Sequence, residues 1–253
     1  MWVLGFAAPE MAASVRAGQF VNIGISPHEL RASGVSSRGP RGMRAGSLLR
    51  RPFSVYRAGG DRIEVVLKAV GAGTAQMLEM REGDVASCLG PLGRGFDLSR
   101  TAKTVALISG GLGVAPMPLA ARDARAAGLH VTWVHGARTA DELCSETDGD
   151  EVILATDDGS TGFAGTAVSA APEAGLVLAC GPNRMLAAVA QRWPQAQVAV
   201  ETFMGCGTGV CLGCAVPLMR GGYDRACTEG PVYVASELEW RALPSHLSYA
   251  VSA

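Results

Sequence analysis

Four of the seven cysteines fall in one stretch, ETFMGCGTGVCLGCAVPLMRGGYDRAC, as Cys206, Cys211, Cys214 and Cys227, separated by four, two and twelve residues. A CxxxxCxxC run with a fourth cysteine downstream is a spacing by which thiolates hold a [2Fe–2S] cluster. Glycines at 205, 207, 209 and 213 support that chemistry, because backbone without a Cβ curls closely and turns amide N–H groups toward sulfur. Two plainer readings stay open, a zinc knuckle and four buried thiols, although zinc sites more often pair two CxxC units. The remaining Cys88, Cys144 and Cys180 read as small buried residues.

Weaker motifs lie upstream. Arg51, Pro52, Phe53 and Ser54 set a guanidinium and a hydroxyl at the head of a strand, where the arginine suits a pyrophosphate; the plain reading is a surface arginine. Gly71, Ala72, Gly73 and Thr74 precede an apparent helix, AQMLEM, so amides at its start suit phosphate; an ordinary strand-to-helix turn is the alternative. Gly110, Gly111 and Gly113 follow the strand VALIS, where a nucleotide phosphate meets a helix start. Pro116 holds the third-glycine position, so GxGxxG is not matched and a packing turn is equally open. Asp157 and Asp158 end a later strand and suit a ribose diol, favouring NAD over NADP, or else form a polar turn. Arg138 pulls the other way, toward a 2′-phosphate. Cys180, Gly181 and Pro182 end the next strand and either edge a nicotinamide pocket or fill space, with Asn183 as the expected N-cap of RMLAAVAQRW.

The elements that must position these residues change character along the chain. Up to residue 99, short β-type runs such as FVNIGI, PFSVYR, RIEVVLKAV and DVASCLG alternate with Gly and Pro, which predicts an antiparallel barrel. GPLGRGF reads as its turn-rich exit. Ser26 to Arg50, with Arg31, Arg38, Arg41, Arg44 and Arg50 among Gly, Ser and Pro, reads as a solvated loop. From residue 100 the pattern is apolar strand, glycine turn, helix: VALIS, VTWVHG, EVILAT, LVLAC and QVAV predict a parallel sheet. The expected division is therefore 1–99, 100–200 and 201–253.

Composition agrees with a folded α/β enzyme. Hydrophobic residues make up 48 % and charged residues 18 %, which excludes a disordered chain. A net charge of −1 offers no field to recruit nucleic acid or an anionic membrane. No apolar run reaches bilayer length and no signal peptide is evident, so a cytoplasmic location is expected, where cysteines serve metals or clusters more than disulfides. GxSxG, HExxH and GxxxxGK[ST] are missing, and His28, His130, His135 and His246 show no metal spacing. No side chain is singled out as a general acid or base.

Taken in order, RPFS, GAGT, GPLGRGF, GGLGVAP, TDDGSTG, CGP, ETFMGCGTGVCLGC and CTEGPVY resemble the electron transfer subunits of dihydroorotate dehydrogenase B, a branch of the ferredoxin–NADP reductase superfamily. The likeness spans almost the whole chain and is most specific in placing the cluster motif after the nucleotide region. It implies an antiparallel FAD-binding β-barrel, a Rossmann-like NAD domain and a small C-terminal [2Fe–2S] domain. By resemblance, Arg51, Pro52, Phe53 and Ser54 match the first flavin motif, Val66, Leu67 and Lys68 the second, and Gly73 with Thr74 the third. Cys206, Cys211, Cys214 and Cys227 match the cluster ligands. The implied partner is an FMN-containing dihydroorotate dehydrogenase catalytic subunit, in a heterotetramer of two plus two subunits, with electrons leaving through FAD to NAD⁺ in pyrimidine biosynthesis. An NAD(P)H-oxidising subunit of another complex, of sulfhydrogenase or ferredoxin–NADP oxidoreductase type, is the alternative; a zinc-stabilised interaction module is another. Two departures stand out. The Ser26 to Arg50 loop is long for the family, and the chain starts late, which implies a misplaced start or a lost edge strand.

Overall fold

The computed structural model describes residues 1–24, 49–99, 101–144 and 147–245. Most of the Ser26 to Arg50 loop, with Arg31, Arg38, Arg41 and Arg44, lies outside them, as do His28 and His246.

The first region is a five-stranded antiparallel sheet in the order β1-β4-β3-β2-β5. Its strands are β1 (Trp2–Ala7), β2 (Phe20–Gly24), β3 (Arg51–Gly59), β4 (Arg62–Leu67) and β5 (Ser87–Leu92), with helices α1 (Pro9–Ser14) and α2 (Ala72–Leu78) beside them. β1 occupies the sheet edge next to β4, so the stretch before AGQF supplies an edge strand. Alternation along β2 sends Val21 and Ile23 into the core with Val55 and Val65, and Phe20 and Asn22 to the opposite face. Helix α2 starts earlier than expected, so Gly73 and Thr74 lie in its first turn rather than ahead of it. Arg50, grouped by composition with the solvated loop, donates instead to the Ser87 carbonyl at 2.7 Å and to its hydroxyl at 2.6 Å.

The second region is a seven-stranded sheet in the order β14-β11-β10-β6-β7-β8-β9. Strands β6 (Thr104–Gly110), β7 (His130–Ala137), β8 (Glu151–Thr156), β9 (Phe163–Ala164), β10 (Leu176–Cys180) and β11 (Gln197–Ala199) run parallel; β14 (Val232–Val234) pairs antiparallel with β11. Helices α3 (Met117–Ala126), α4 (Ala167–Ala170) and α5 (Asn183–Arg192) cover it. The continuous apolar runs of β6 and β10 follow from burial on both faces.

A small hairpin, β12 (Ala215–Pro217) with β13 (Tyr223–Arg225), completes the fold. The regions share cores. One cluster joins the barrel to α3 and one face of the parallel sheet; the other joins the opposite face to Cys214, Val216, Ala226 and Cys227. Polar contacts match this packing: Arg122 donates to the Ala58 carbonyl at 2.6 Å, and Gln197 exchanges two 2.7 Å bonds with the Asp97 backbone. Among the described residues, no helix is long and apolar enough to cross a membrane.

Candidate functional site

The β12–β13 hairpin explains the longest cysteine spacing. Cys214 precedes β12 and Cys227 follows β13, and the ladder ends with the Ala226 N–H donating to the Cys214 carbonyl at 3.0 Å. Their sulfurs lie 3.3 Å apart and both residues are buried, whereas Cys206 is half-buried and Cys211 exposed. The loop between turns its amides to sulfur. Thr208 and Cys211 N–H groups donate to Cys206 Sγ at 3.4 Å each, Gly213 to Cys211 at 3.5 Å, and Gly209 to Cys227 at 3.1 Å. Gly209 needs its glycine: its φ is +83° and a Cβ there would come 2.9 Å from the Thr228 methyl.

These amides have an electrostatic effect. The N–H groups of Thr208 and Cys211 pull the Cys206 thiol down to about 5, while burial and the Cys214 sulfur push Cys227 up to about 11. Arg225 braces the loop, donating to the Gly209 carbonyl at 3.1 Å while Glu229 takes its backbone and side chain. Among the described residues, no group of three or more His, Cys, Asp or Glu side chains is placed to hold a metal ion. Four thiols, three of them carrying directed N–H donors, fit a two-iron centre, whose ligands are divided between two metals.

The sequence motifs of the barrel meet in space. A Cβ on Gly73 would lie 3.3 Å from Nε and Nη2 of Arg51, so RPFS on β3 and the first turn of α2 form one corner. Thr74 shapes the approach to it, accepting from the Val70 N–H at 2.9 Å and donating to the Gly71 carbonyl at 3.1 Å. Pro52 and Ser54 pair with Asn22 and Phe20, which puts them on the face opposite the barrel core, while Phe53 packs against that core. Val66 and Lys68 line a cavity of about 290 Å³ with Tyr56 and with residues 141 to 144 of the parallel-sheet region. Leu67 is buried in the barrel core instead.

At the carboxyl edge of the parallel sheet, β6 is flanked by β7 and β10, the point where strand order reverses and a crevice opens. Gly111 takes a φ of +54°, and Gly113 sits so close to the Cys180 carbonyl and Gly181 that no side chain fits. Gly110 abuts Met185 and Pro182, so the GGLG turn packs directly against Cys180, Gly181 and Pro182. Asp157 and Asp158 follow β8, their amides bonded to the carbonyls of Ala137 and Arg138. Ser160 donates twice to Asp158 and holds its carboxyl below the usual range. Arg138 is gripped by both Glu142 oxygens and also feels Asp157.

Three arrangements were not foreseen from the sequence. Asn183 is not an N-cap: Pro182 holds that position, and the Asn183 amide donates to the Glu201 and Pro244 carbonyls at 2.9 Å each and accepts the Glu201 N–H at 3.1 Å. His135, fully buried, joins Ser109 at 2.9 Å and accepts the Cys144 N–H at Nε2, so Nδ1 carries its proton; Trp133 donates to the same serine. Asn22, 1 % exposed, donates to the Cys206 carbonyl at 2.8 Å. A polar residue inside the apolar run FVNIGI was its only sequence signal.

An antiparallel barrel joined to a doubly wound parallel sheet, followed by a four-cysteine segment, defines a reductase of the ferredoxin–NADP reductase class with FAD- and NAD-binding architecture and an iron–sulfur extension. Residues 201–239 match the model of the iron–sulfur cluster binding domain of dihydroorotate dehydrogenase B. A dihydroorotate dehydrogenase B (NAD(+)) electron transfer subunit from Desulforamulus reducens is 32 % identical, covering 94 % of this chain and 92 % of that one. Its counterpart from Clostridium acetobutylicum is 36 % identical over 75 % and 79 %. The chain belongs to this family of electron transfer subunits. Among solved structures, an NADH-dependent reduced ferredoxin–NADP oxidoreductase superposes with a TM-score of 0.78 at 26 % identity, covering 95 % of this chain and 86 % of that one. The cytochrome b5 reductase domain of Ulva prolifera nitrate reductase shares the fold alone, at a TM-score of 0.51 and 18 % identity over 73 % and 81 %.

Proposed function

We propose that this chain passes electrons from a dihydroorotate-oxidising, FMN-containing catalytic subunit to NAD⁺, with a [2Fe–2S] cluster on Cys206, Cys211, Cys214 and Cys227 and FAD on the barrel. The observation that carries this reading is the amide-lined cysteine loop docked on the strand next to RPFS. When bound, the flavin supplies the link between two-electron exchange with nicotinamide and one-electron exchange with the cluster.

The chain's own residues bind, orient and tune. Arg51 offers its guanidinium to the flavin pyrophosphate, and Gly73 leaves room for a phosphate beside it. Pro52, Phe53 and Ser54 present the ring-binding strand; Val66 and Lys68 build the neighbouring wall, anchored by Leu67 in the barrel core, and Thr74 fixes the turn at the phosphates. Gly110, Gly111 and Gly113, with Cys180, Gly181 and Pro182, form the nicotinamide nucleotide crevice. Asp157 and Asp158 face the adenosine ribose. Arg138 does not turn this site toward NADP, because Glu142 occupies its guanidinium. Glu142→Gln is expected to lower the NADH-to-NADPH preference severalfold in dye-reduction assays. The domains run 1–99, 100–200 and 201–253, the complex is two plus two, and the site of action is the cytoplasm.

Anaerobic purification with the catalytic subunit tests the whole reading. Flavin absorbance, iron and labile sulfide are expected, along with dihydroorotate-dependent NAD⁺ reduction. Cys211→Ser is expected to abolish that reduction and spare NADH-to-dye turnover; protein without flavin or iron would sink the proposal.

A further inference from the structure

Asn22 is an unusual residue to find at the centre of a barrel strand. It is 1 % exposed; its Nδ2 donates to the Cys206 carbonyl, and its Oδ1 is buried with no partner among the described residues. An orphaned buried acceptor costs stability, and leucine, close to asparagine in shape, would avoid that cost. A feature that costs stability at a cofactor site calls for a functional account. Its neighbours supply one. Asn22 pairs with Pro52 across the ladder and Phe20 with Ser54, so all four side chains share the face turned away from the barrel core. Gly207, at a φ of +73°, approaches so closely that a Cβ would lie 2.5 Å from the Asn22 nitrogen. The cluster loop therefore rests on the strand next to the proposed flavin strand, and Asn22 makes the polar contact.

We propose that Asn22 is a positioning residue for electron exchange: it seats the Cys206 peptide against the face of β2 and β3, fixing both the spacing of the two cofactors and the environment of the Cys206 sulfur. This role rests on the cofactor placement proposed above. With the carbonyl of Cys206 pinned, its Sγ stays in reach of the Thr208 and Cys211 amides. A reduced cluster carries one more negative charge, and N–H donors at its sulfurs stabilise that charge. Loss of the seat weakens those donors and lowers the potential.

The experiment compares wild type, Asn22→Leu and Asn22→Asp, each purified anaerobically with the catalytic subunit. Flavin content, iron content, thermal midpoint, cluster midpoint potential by redox-titrated EPR and the stopped-flow rate of cluster reduction by NADH are measured. Asn22→Leu is expected to keep both cofactors and a thermal midpoint at or above that of wild type, with a more negative cluster potential and cluster reduction slowed roughly three- to ten-fold, the range of one hydrogen bond. Asn22→Asp keeps the shape, loses the donor and is expected to slow the step at least as much, so the role stays testable if the leucine variant fails to fold. A wild type without flavin or cluster overturns the cofactor reading and this role together. With both present, unchanged potential and rate in the variants overturn the role of Asn22 alone, as does a loss of cluster and thermal stability together.

Discussion

The turn after β6 and the cysteine loop are both glycine-rich, but they are held in different ways. The turn is built by its surroundings. β6 and β10 contribute Ala106, Leu107, Ile108, Leu178 and Ala179 at 0 % exposure, and Gly113 is wedged against the Cys180 carbonyl. The cysteine loop leaves Phe203, Val210 and Leu212 at 53, 81 and 64 % exposure, and its close contacts include thiols, Asn22, Arg225 and Thr228. Hydrophobic burial shapes the first before any ligand arrives; the second depends on its own cysteines and on what they hold.

Changes on the sheet side are expected to have the largest effects. Gly113→Ala forces a methyl into backbone at Cys180 and Gly181, with an expected loss of about 3 kcal/mol or more in urea unfolding and of NADH binding. A neutral result would mean that the turn is no more rigid than the loop.

Next comes the buried histidine. Burial lowers His135 from 6.5 to about 4, so the unfolded chain binds a proton that the folded one refuses. Its stabilisation is complete above pH 6.5 and is lost as the pH falls toward 4, by about 3 kcal/mol in all. The difference in unfolding free energy between wild type and His135→Asn should therefore change across that window; a constant difference would contradict the account.

Removing iron with a chelator should affect the sheet least. Hydrogen exchange is expected to speed up in residues 203–213 and to stay unchanged in β6, β7 and β10. Loss of protection in those strands would show that loop and sheet form one cooperative unit.

Most of the fold is legible in the sequence where burial is two-sided or alternating. VALIS, LVLAC and PFSVYR name their strands because continuous or alternating apolar runs have few other uses. The cysteine spacing is legible because a hairpin of fixed length separates Cys214 from Cys227. Contacts between distant segments are not legible. Asn183 resembles an N-cap because local chemistry favours it there, yet its amide ties down Glu201 and Pro244. Val232–Val234 is too short to announce itself as a strand, and its place beside β11 depends on the hairpin before it. Arg50 carries the composition of its loop but the bonding of β5.

That last strand has a consequence for how the protein is made. β14 covers the outer edge of β11, but it is synthesised after the whole cysteine segment. Until residue 234 leaves the ribosome, the nascent sheet carries an open edge at β11, the kind of edge that recruits other chains. Chains cut short within the cysteine segment would lack β14 and keep that edge open, so the nucleotide sheet is closed only by the strand that follows the cluster segment.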